Sequence, residues 1–280
     1  MPTITVIGSV NLDIVAKAAR LPAPGETVTG AELHRYPGGK GANQALAAKR
    51  LGADVTLIAR VGDDAAGDEA LVLLREGGVD LSLCIALPGV PTGTALIAVA
   101  PSGENQIVVA PGANRHLAPE DLDMPETDAL ICQLEVPVDT VAKAASAFDG
   151  FLSVNLAPAA RIDVSVLQRA NLIVVNETES AWYGESLRAC NGMLATTRGA
   201  GRATLEQDGE VIAEARPPVV ESIDATGAGD TFTAALTVAL VEGQPPQDAL
   251  EFACAAGAVA TTRMGAQPSL PMRDQVTLNG

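Results

Sequence analysis

Aromatic side chains are scarce in this chain, because Phe, Trp and Tyr together make up only 2% of its 280 residues. Apolar residues still reach 48%, so the core is expected to be aliphatic. The length and the wealth of Ala, Gly and Val suit an α/β fold, which often exceeds ~200 residues without dividing. We therefore predict a single domain over residues 1–280.

Basic residues are also few. Lys and Arg number 18 against 34 Asp and Glu, which gives a formal net charge of −16. Such a surface repels nucleic acid and anionic membranes, since their phosphates require a basic footprint. We expect neither as a partner, and an anionic ligand would have to be held by backbone N–H groups.

Metal-binding and disulfide patterns are missing as well. The cysteines and histidines are Cys84, Cys132, Cys190, Cys254, His34 and His116. None forms a CxxC or a Cys/His cluster, which disfavours a zinc site and a disulfide framework and favours reduced thiols in the cytoplasm. The first ten residues are typical of a strand, not of a signal peptide, and no apolar run approaches the ~20 residues of a membrane span.

What the chain does have is an alternation of β-branched runs and Ala-rich stretches. The predicted strands are Ile4–Gly8, Val55–Ala59, Leu130–Leu134, Leu152–Asn155, Leu172–Val175 and Leu194–Thr197. The predicted helices are Ala42–Leu51, Asp68–Glu76, Val138–Phe148, Val164–Ala170, Asp230–Val241 and Gln247–Arg263. Continuously apolar strands are typical of parallel sheets buried on both faces. This order predicts a doubly wound, mostly parallel sheet with helices on both faces.

Two regions, about 11–36 and 84–110, contain short strands and turns that fit no helix layer. Because the second contains a hairpin pattern around PSGEN, we predict that the two form a small β-sheet beside the main one. That sheet is either a lid or a plain excursion. A further strand is predicted at Val219–Ile223, and a loop with a frayed end from Gln267 to Gly280.

The strongest local signal is DATGAGD, residues 224–230, at the start of a predicted helix. Glycines let the backbone approach a ligand, and a helix start offers unpaired N–H groups and the positive end of the dipole, so the run predicts an anion site. Asp230 at its rim makes sense as a base that deprotonates an attacking hydroxyl during phosphoryl transfer. The alternative is an acid that only stabilises the helix N-terminus.

A second glycine-rich run, GGKGANQ at residues 38–44, opens the helix that ends near Leu51. It lacks the GxxxxGK[ST] spacing of a P-loop. Lys40 and Asn43 are candidate donors to a polar ligand, and a simple turn before a helix is the alternative.

Three further polar groups follow predicted strands, where open α/β sheets bind ligands. Asn11 and Asp13 can hold sugar hydroxyls, or else form a turn or cap. Glu135 also suits a hydroxyl ligand, or else is a solvent-facing loop acid. Asn176 and Glu179 can organise water around Mg²⁺, or else cap an acidic helix start.

In order along the chain, these motifs resemble the PfkB carbohydrate kinase family from Ile7 to Pro271. The matching pieces are GSVNLD (8–13), PGETVTG (24–30), GGKGANQA (38–45), PTGTALI (91–97), GENQIVVAPGAN (103–114), QLEVP (133–137), NLAPA (155–159), NETE (176–179), DATGAGDTF (224–232) and GAQPSLP (265–271). The resemblance is strongest to members that phosphorylate D-ribose at O5 with ATP, giving D-ribose 5-phosphate and ADP. A kinase for 2-deoxyribose, fructose or adenosine is the nearest alternative.

The resemblance also implies roles for matching residues. The base would be Asp230, with anion-hole N–H groups from Gly227, Ala228 and Gly229. The sugar would contact Asn11, Asp13, Gly39, Lys40, Gly41, Ala42, Asn43, Glu135 and Asp230. The nucleotide would contact Asn176, Thr197, Arg198, Gly199, Ala200, Gly201, Arg202, Gly229, Asp230 and Cys254.

Cofactors and assembly are implied in the same way. Mg²⁺ would accompany ATP, tied to Asn176 and Glu179. K⁺ would activate through a loop site, with most ligands being backbone oxygens of Asp224, Thr226, Ala260, Arg263, Gly265 and Ser269. The small β-sheet would act as a lid and as a homodimer interface.

Two rival classes fit less well. A dinucleotide-dependent oxidoreductase would carry GxGxxG after its first strand, where this chain has SVNLD. A non-catalytic sugar-binding protein on the same fold would not need the complete GAGD with Asp230.

One departure from the family is the short stretch between Glu179 and Thr197, which predicts a shortened helix near the nucleotide. Arg198 and Cys254 also depart from the residues usual at their positions, which bears on nucleotide preference.

Overall fold

The computed structural model describes residues 1–277. The strands are β1 (Thr3–Ile7), β2 (Asn11–Lys17), β3 (Glu32–Gly38), β4 (Asp54–Gly62), β5 (Cys84–Leu87), β6 (Gly93–Val99), β7 (Asn105–Ala110), β8 (Ala129–Gln133), β9 (Phe151–Asn155), β10 (Leu172–Asn176), β11 (Met193–Thr197), β12 (Ala203–Gln207) and β13 (Glu210–Ala215). The α-helices are α1 (Lys40–Arg50), α2 (Ala65–Ala70), α3 (Val72–Glu76), α4 (Val138–Ala147), α5 (Val164–Arg169), α6 (Glu177–Tyr183), α7 (Ala228–Val241), α8 (Pro246–Ala260) and α9 (Ala266–Ser269).

The main sheet runs in the order β13-β12-β11-β10-β9-β8-β1-β4-β5. Its strands are parallel from β11 to β5, and β12 and β13 extend it antiparallel at one edge. Strand order reverses direction around β1, so the carboxyl ends of β1 and β8 flank a crevice of the kind in which open sheets bind ligands.

Helices cover both faces of this sheet. Side chains of α1, α7 and α8 pack on one face, and those of α4 and α5 pack on the other. Side chains of the central strands pack against both helix layers. In β8, Ile131 faces the first layer, and its neighbours Leu130 and Cys132 face the second. The doubly wound fold predicted from the alternating apolar runs is therefore confirmed.

A second sheet of four strands, in the order β3-β2-β6-β7, projects beside the main one. It differs from the sequence prediction at one boundary. Residues Cys84–Leu87 do not belong to it, because β5 pairs in parallel with Ala59–Gly62 of β4 at the edge of the main sheet. The second segment of the small sheet therefore begins at Gly93 and not at residue 84. Asn11 and Asp13 lie in β2 of this sheet and not in a turn or cap.

Three connections also differ from or refine the sequence predictions. The predicted strand at Val219–Ile223 is a loop, in which Val219 is fully exposed, and within residues 1–277 no strand pairs with it. Between Glu179 and β11, the chain forms the end of α6 and a 3₁₀ turn, Gly184–Ala189, so the helix is short as predicted. In the predicted C-terminal loop, α9 is helical, and residues 278–280 lie outside the described part of the chain.

Within residues 1–277, no helix is both long enough and apolar enough to cross a bilayer.

Candidate active site

A cavity of about 670 Å³ lies between the carboxyl edge of the main sheet and the inner face of the small sheet. Asp230, near the start of α7, is part of its wall and is only 6% exposed. Its carboxylate accepts two amide hydrogen bonds, from Asn43 Nδ2 to Oδ2 at 2.8 Å and from Gln44 Nε2 to Oδ1 at 2.9 Å. Burial raises the pKa of Asp230, while Lys40 and the two amides act in the opposite direction. A buried carboxylate of raised pKa, whose ionised form is favoured by nearby donors, suits a general base.

The predicted sugar-contacting residues meet on the same cavity. It is lined by Asn11, Asp13, Gly39, Lys40, Asn43 and Glu135. Gly41 and Ala42 lie behind this wall, and a Cβ on Gly41 would come within 2.6 Å of the Gly8 backbone. Glycine at position 41 thus lets α1 approach the end of β1, and the two residues support the wall without forming it.

Glu135 and Asn11 are each held by a partner distant in sequence. The Ser9 hydroxyl donates to Glu135 Oε2 at 2.5 Å, and the Lys40 amide donates to the same oxygen at 3.1 Å. Asn114 Nδ2 donates to Asn11 Oδ1 at 2.7 Å. These contacts preorganise both polar groups at the cavity.

Several carboxylates of the large cavity surround Lys40. Burial, together with Glu135, Asp230 and Asp224, raises the pKa of Asp13 to about 7. Burial by itself would lower the pKa of Lys40, but Asp230, Glu135 and other nearby carboxylates outweigh it and raise that pKa. Lys40 therefore stays protonated, and Asp13 changes charge near neutral pH.

The start of α7 has the geometry of an anion site. Gly227 precedes it in the left-handed region, at φ 81°, and a Cβ on Gly229 would meet only open space. The Ala228 amide donates to the Ala225 carbonyl at 3.2 Å, so it is already engaged. The next two amides, of Gly229 and Asp230, belong to the first turn and have no intrahelical partner, whereas the Thr231 amide donates to the Gly227 carbonyl at 2.8 Å.

A second, largely apolar cavity of about 340 Å³ adjoins this helix start. Of the predicted nucleotide residues, it is lined by Thr197, Arg198, Gly199, Ala200, Gly201, Gly229 and Cys254. Gly229 borders both cavities, whereas Asn176 and Asp230 line only the larger one. Arg202 lines neither, because its guanidinium pairs with Glu214 on β13.

The residues of the predicted cation site divide into two groups. Asp224 joins two loops, because it accepts hydrogen bonds from the Thr226 amide at 2.9 Å and the Gly265 amide at 2.8 Å. These three residues line the large cavity. Ala260, Arg263 and Ser269 line neither cavity, and the Ser269 hydroxyl donates to the Ala266 carbonyl at 2.7 Å.

Asn176 and Glu179 form a capping box at the start of α6. The Asn176 side chain accepts from the Glu179 amide, and Glu179 Oε2 accepts from the Asn176 amide, each at 2.8 Å. The capping alternative raised by the sequence is therefore realised. It does not remove these residues from the site, because both also line the large cavity. Burial raises the pKa of Glu179.

Several site residues were missed by sequence reasoning. Gln44 contacts Asp230 directly, and Ser9 holds Glu135, although both lie within quoted motifs. The apolar wall of the smaller cavity is completed by Pro217, Pro218, Val219, Val220, Phe232 and Gly257. In the sequence, the only signal for this wall is the pair of prolines, Pro217 and Pro218, and that pair predicts the approach to a strand.

A buried carboxylate in the first turn of a helix, beside a polar cavity and next to Gly229, which borders an apolar cavity as well, suits phosphoryl transfer to a hydroxyl group. The sequence profile of the pfkB family carbohydrate kinases matches residues 1–273. The chain belongs to this family.

Similar proteins align with this chain over nearly its full length. A ribokinase of Bacillus subtilis (strain 168) is 37% identical over 99% of this chain and 98% of its own. The crystal structure of a Thermotoga maritima ribokinase aligns with a TM-score of 0.90 at 32% identity, covering 99% and 98% of the two chains. The Arabidopsis thaliana ribokinase complexed with ribose and ATP aligns with a TM-score of 0.86 at 30% identity, covering 98% and 97%. A Salmonella typhi deoxyribokinase is 31% identical over 97% of this chain and 96% of its own.

Proposed function

We propose that this protein transfers the γ-phosphoryl group of ATP to O5 of D-ribose, giving D-ribose 5-phosphate and ADP. The observation that carries the proposal is Asp230, a buried carboxylate at the start of α7 that lines the sugar-type cavity next to Gly229, which borders both cavities. The B. subtilis ribokinase and the Arabidopsis ribokinase bound to ribose and ATP support the same assignment.

In this mechanism Asn11, Asp13 and Glu135 bind the hydroxyls of ribose and orient it. Asp230 takes the O5 proton as O5 attacks the γ-phosphorus, and ADP leaves with the electrons of the broken P–O bond. The free amides at the start of α7 stabilise the charge that develops on the transferred group. Their contribution is electrostatic and positional, as in other phosphoryl transfers.

The base of the nucleotide is assigned to the smaller cavity. Pro217, Phe232 and Cys254 give it an apolar lining, and Gly199 leaves room for close approach to the backbone. Because Gly229 borders both cavities, the phosphates would lie across the start of α7 and reach the sugar there.

We assign Mg²⁺ to the side of the cavity that holds Asn176 and Glu179. The capping bond uses Oε2 of Glu179, and a carboxylate has a second oxygen that can orient water on Mg²⁺. When bound with ATP, the ion neutralises phosphate charge. The cap itself fixes Glu179 at the cavity wall.

We assign K⁺ to the loops around Asp224. Its carboxylate is occupied by amide donors from Thr226 and Gly265, so it would organise these loops while backbone oxygens bind the ion. The last carbonyls of α8, which ends at Ala260, carry the negative end of a helix dipole and are therefore suited to a cation.

A sugar panel tests the proposed function. In a coupled ADP-release assay, D-ribose should give the highest kcat/KM among ribose, 2-deoxyribose, fructose and adenosine, and the rate should rise when K⁺ replaces Na⁺. Because a deoxyribokinase of S. typhi is among the similar proteins, 2-deoxyribose is the most important alternative substrate in this panel. Faster turnover of another sugar would reassign the substrate, and equal rates in the two salts would contradict the cation site.

We further propose that the chain acts as one α/β unit whose small sheet is a lid. Val15, Ile97 and Val109 on the inner face line the large cavity, and Lys17 Nζ reaches Met264 Sδ at 3.6 Å across its mouth. We place the protein in the cytoplasm, where the thiols Cys84 and Cys190 stay reduced.

The outer face of the lid is proposed as a homodimer interface. Leu33, Leu96 and Val108 are 67%, 51% and 66% exposed, and Leu96 and Val108 are paired across β6 and β7. Strand β7 is the edge of this sheet and is exposed along its whole length. Exposed apolar faces and open edges of this kind are typical of association sites, and a second copy would cover both.

Replacing Leu96 and Val108 together by Lys should convert the dimer to a monomer, because each interface would then bury four ammonium groups. Sedimentation equilibrium measures the change in mass. The matched control is Val211→Lys, at a 53% exposed valine on the far edge of the main sheet, which should leave the mass unchanged. A double variant that stays dimeric would exclude this face.

A further inference from the structure

Two buried glutamines lie behind the base and have no role in the mechanism so far. Gln44 in α1 and Gln133 at the end of β8 are both 0% exposed. Neither side chain lines either cavity. Burying an amide is costly unless its polar atoms are paired, so both positions call for an explanation.

Every polar group of the Gln44 side chain is engaged. Its Nε2 donates to Asp230 Oδ1 at 2.9 Å and to Asn155 Oδ1 at 3.2 Å. Its Oε1 accepts from Gln133 Nε2 at 2.6 Å. Rotating the amide by 180° would set its oxygen against two acceptors and its nitrogen against another donor, so one orientation is strongly preferred.

The amide neighbours of Gln44 match that orientation. Asn155 Nδ2 donates to the Val174 carbonyl at 3.2 Å, which turns Asn155 Oδ1 toward Gln44. Because Gln44 Oε1 can only accept, Gln133 presents its NH₂ group to it, and a series of amides leads from β8 to the Asp230 carboxylate. Gln133 Oε1 lies against Gly8, where an added Cβ would come within 2.1 Å of it, and among the described residues it has no hydrogen-bond partner.

The two oxygens of Asp230 are consequently not equivalent. Oδ1 is bonded to Gln44, which lies behind the cavity wall. Oδ2 is bonded to Asn43, which lines the cavity. An incoming hydroxyl can replace or join Asn43 at Oδ2, whereas Oδ1 is engaged by Gln44, which is fully buried.

We infer that Gln44 is a positioning residue that holds Oδ1 of Asp230 from behind and leaves Oδ2 to accept the proton of the sugar hydroxyl. The inference rests on the proposed function, and Gln133 acts one step further back by orienting Gln44. Because the donors are neutral amides, they favour the carboxylate without placing a second cation beside it.

The first test is Gln44→Met, which keeps the side-chain size and removes its hydrogen bonds. A donor to an ionised carboxylate is worth about one to two pK units, so the acidic limb of kcat against pH should move up by that amount. At neutral pH kcat should fall by roughly 10-fold, while the KM for ribose stays within about threefold, because Gln44 does not line the cavity.

The second test is a double-mutant cycle with Gln133→Met. If Gln133 acts only through Gln44, then Gln133→Met lowers kcat less than Gln44→Met, and the double variant matches Gln44→Met alone. The control is Thr237→Val, which removes another buried hydrogen bond of α7, the 2.9 Å bond to Ser153, and should leave the acidic limb in place.

A readout without turnover separates this inference from the proposed function. In protein labelled with ¹³C at aspartate carboxyls, the Asp230 resonance is identified by its loss in Asp230→Asn, and its titration should move to higher pH in Gln44→Met. If that variant does not fold, Gln44→Glu keeps the size and polarity and should raise the titration further through like-charge repulsion. An unmoved Asp230 titration would overturn the role of Gln44, and kcat losses that multiply in the double variant would overturn the action of Gln133 through Gln44. Absence of ribose turnover in the wild-type protein would instead overturn the proposed function.

Discussion

Asp230→Asn is expected to reduce kcat for ribose phosphorylation by about 10²–10⁴-fold, the usual contribution of a general base. The amide has nearly the same shape as the carboxylate but cannot take up the O5 proton. Binding of ribose should change far less, because Asn11, Asp13 and Glu135 remain in the cavity wall. Steady-state kinetics with the coupled ADP-release assay give kcat and KM separately.

The matched control for this variant is Asp248→Asn. Asp248 is the third residue of α8, as Asp230 is the third residue of α7, so both substitutions remove an acid from the first turn of a helix. Asp248 is exposed and lies outside both cavities. If the two variants lost similar activity, Asp230 would be only a helix-stabilising acid, and the proposed mechanism would fail.

Asp13→Asn is expected to weaken ribose binding and to stabilise the fold at the same time. A hydrogen bond to a charged group contributes about 1.5–3 kcal/mol, so losing the carboxylate should raise the KM for ribose by roughly 10- to 100-fold. The Asp13 carboxylate packs against Gly38, where an added Cβ would lie within 2.3 Å of it, and an amide of the same size fits this space.

The effect on stability follows from the raised pKa of Asp13, about 7 against an ordinary value of 3.8. A raised pKa means that the stability contributed by the neutral carboxyl is present below the ordinary value and is lost as pH rises through about 7. The shift corresponds to about 4 kcal/mol when complete. An amide cannot ionise, so the variant avoids this loss.

Differential scanning calorimetry at several pH values measures this effect. The Tm of Asp13→Asn should exceed that of the wild-type protein by several degrees at about pH 8, and by less at about pH 5. The exposed Asp63 provides the control, since Asp63→Asn should give no such pH-dependent difference. A Tm difference for Asp13→Asn that did not vary with pH would show that Asp13 is not a costly buried charge.

Features set by residues close together in the sequence could be predicted, whereas contacts between residues far apart in the chain could not. The position of Asp230 at a helix start was accessible because DATGAGD is a local pattern of glycines followed by an apolar run. Its partners Asn43 and Gln44 lie 187 and 186 residues away along the chain, and no local pattern pairs them with it. Ser9 and Glu135 are likewise joined across 126 residues.

Two of the errors in element assignment have the same origin. Val219–Ile223 has the composition of a strand, yet it follows two prolines and has no strand beside it, so it remains a loop along the smaller cavity. Cys84–Leu87 was grouped with the small sheet by proximity in sequence. Its backbone instead pairs with β4 of the main sheet, because strand pairing is decided by the neighbour available in space.

By itself, the sequence determined the layered α/β fold and the family and predicted Asp230 as the base, since apolar periodicity and glycine-rich turns act within a few residues. Only the tertiary structure decided which carboxylates share one cavity with Lys40, and hence that Asp13 has a pKa near neutrality. It also decided that buried glutamines stand behind Asp230. These properties depend on burial and on distances between segments far apart in the chain, which side-chain periodicity does not encode.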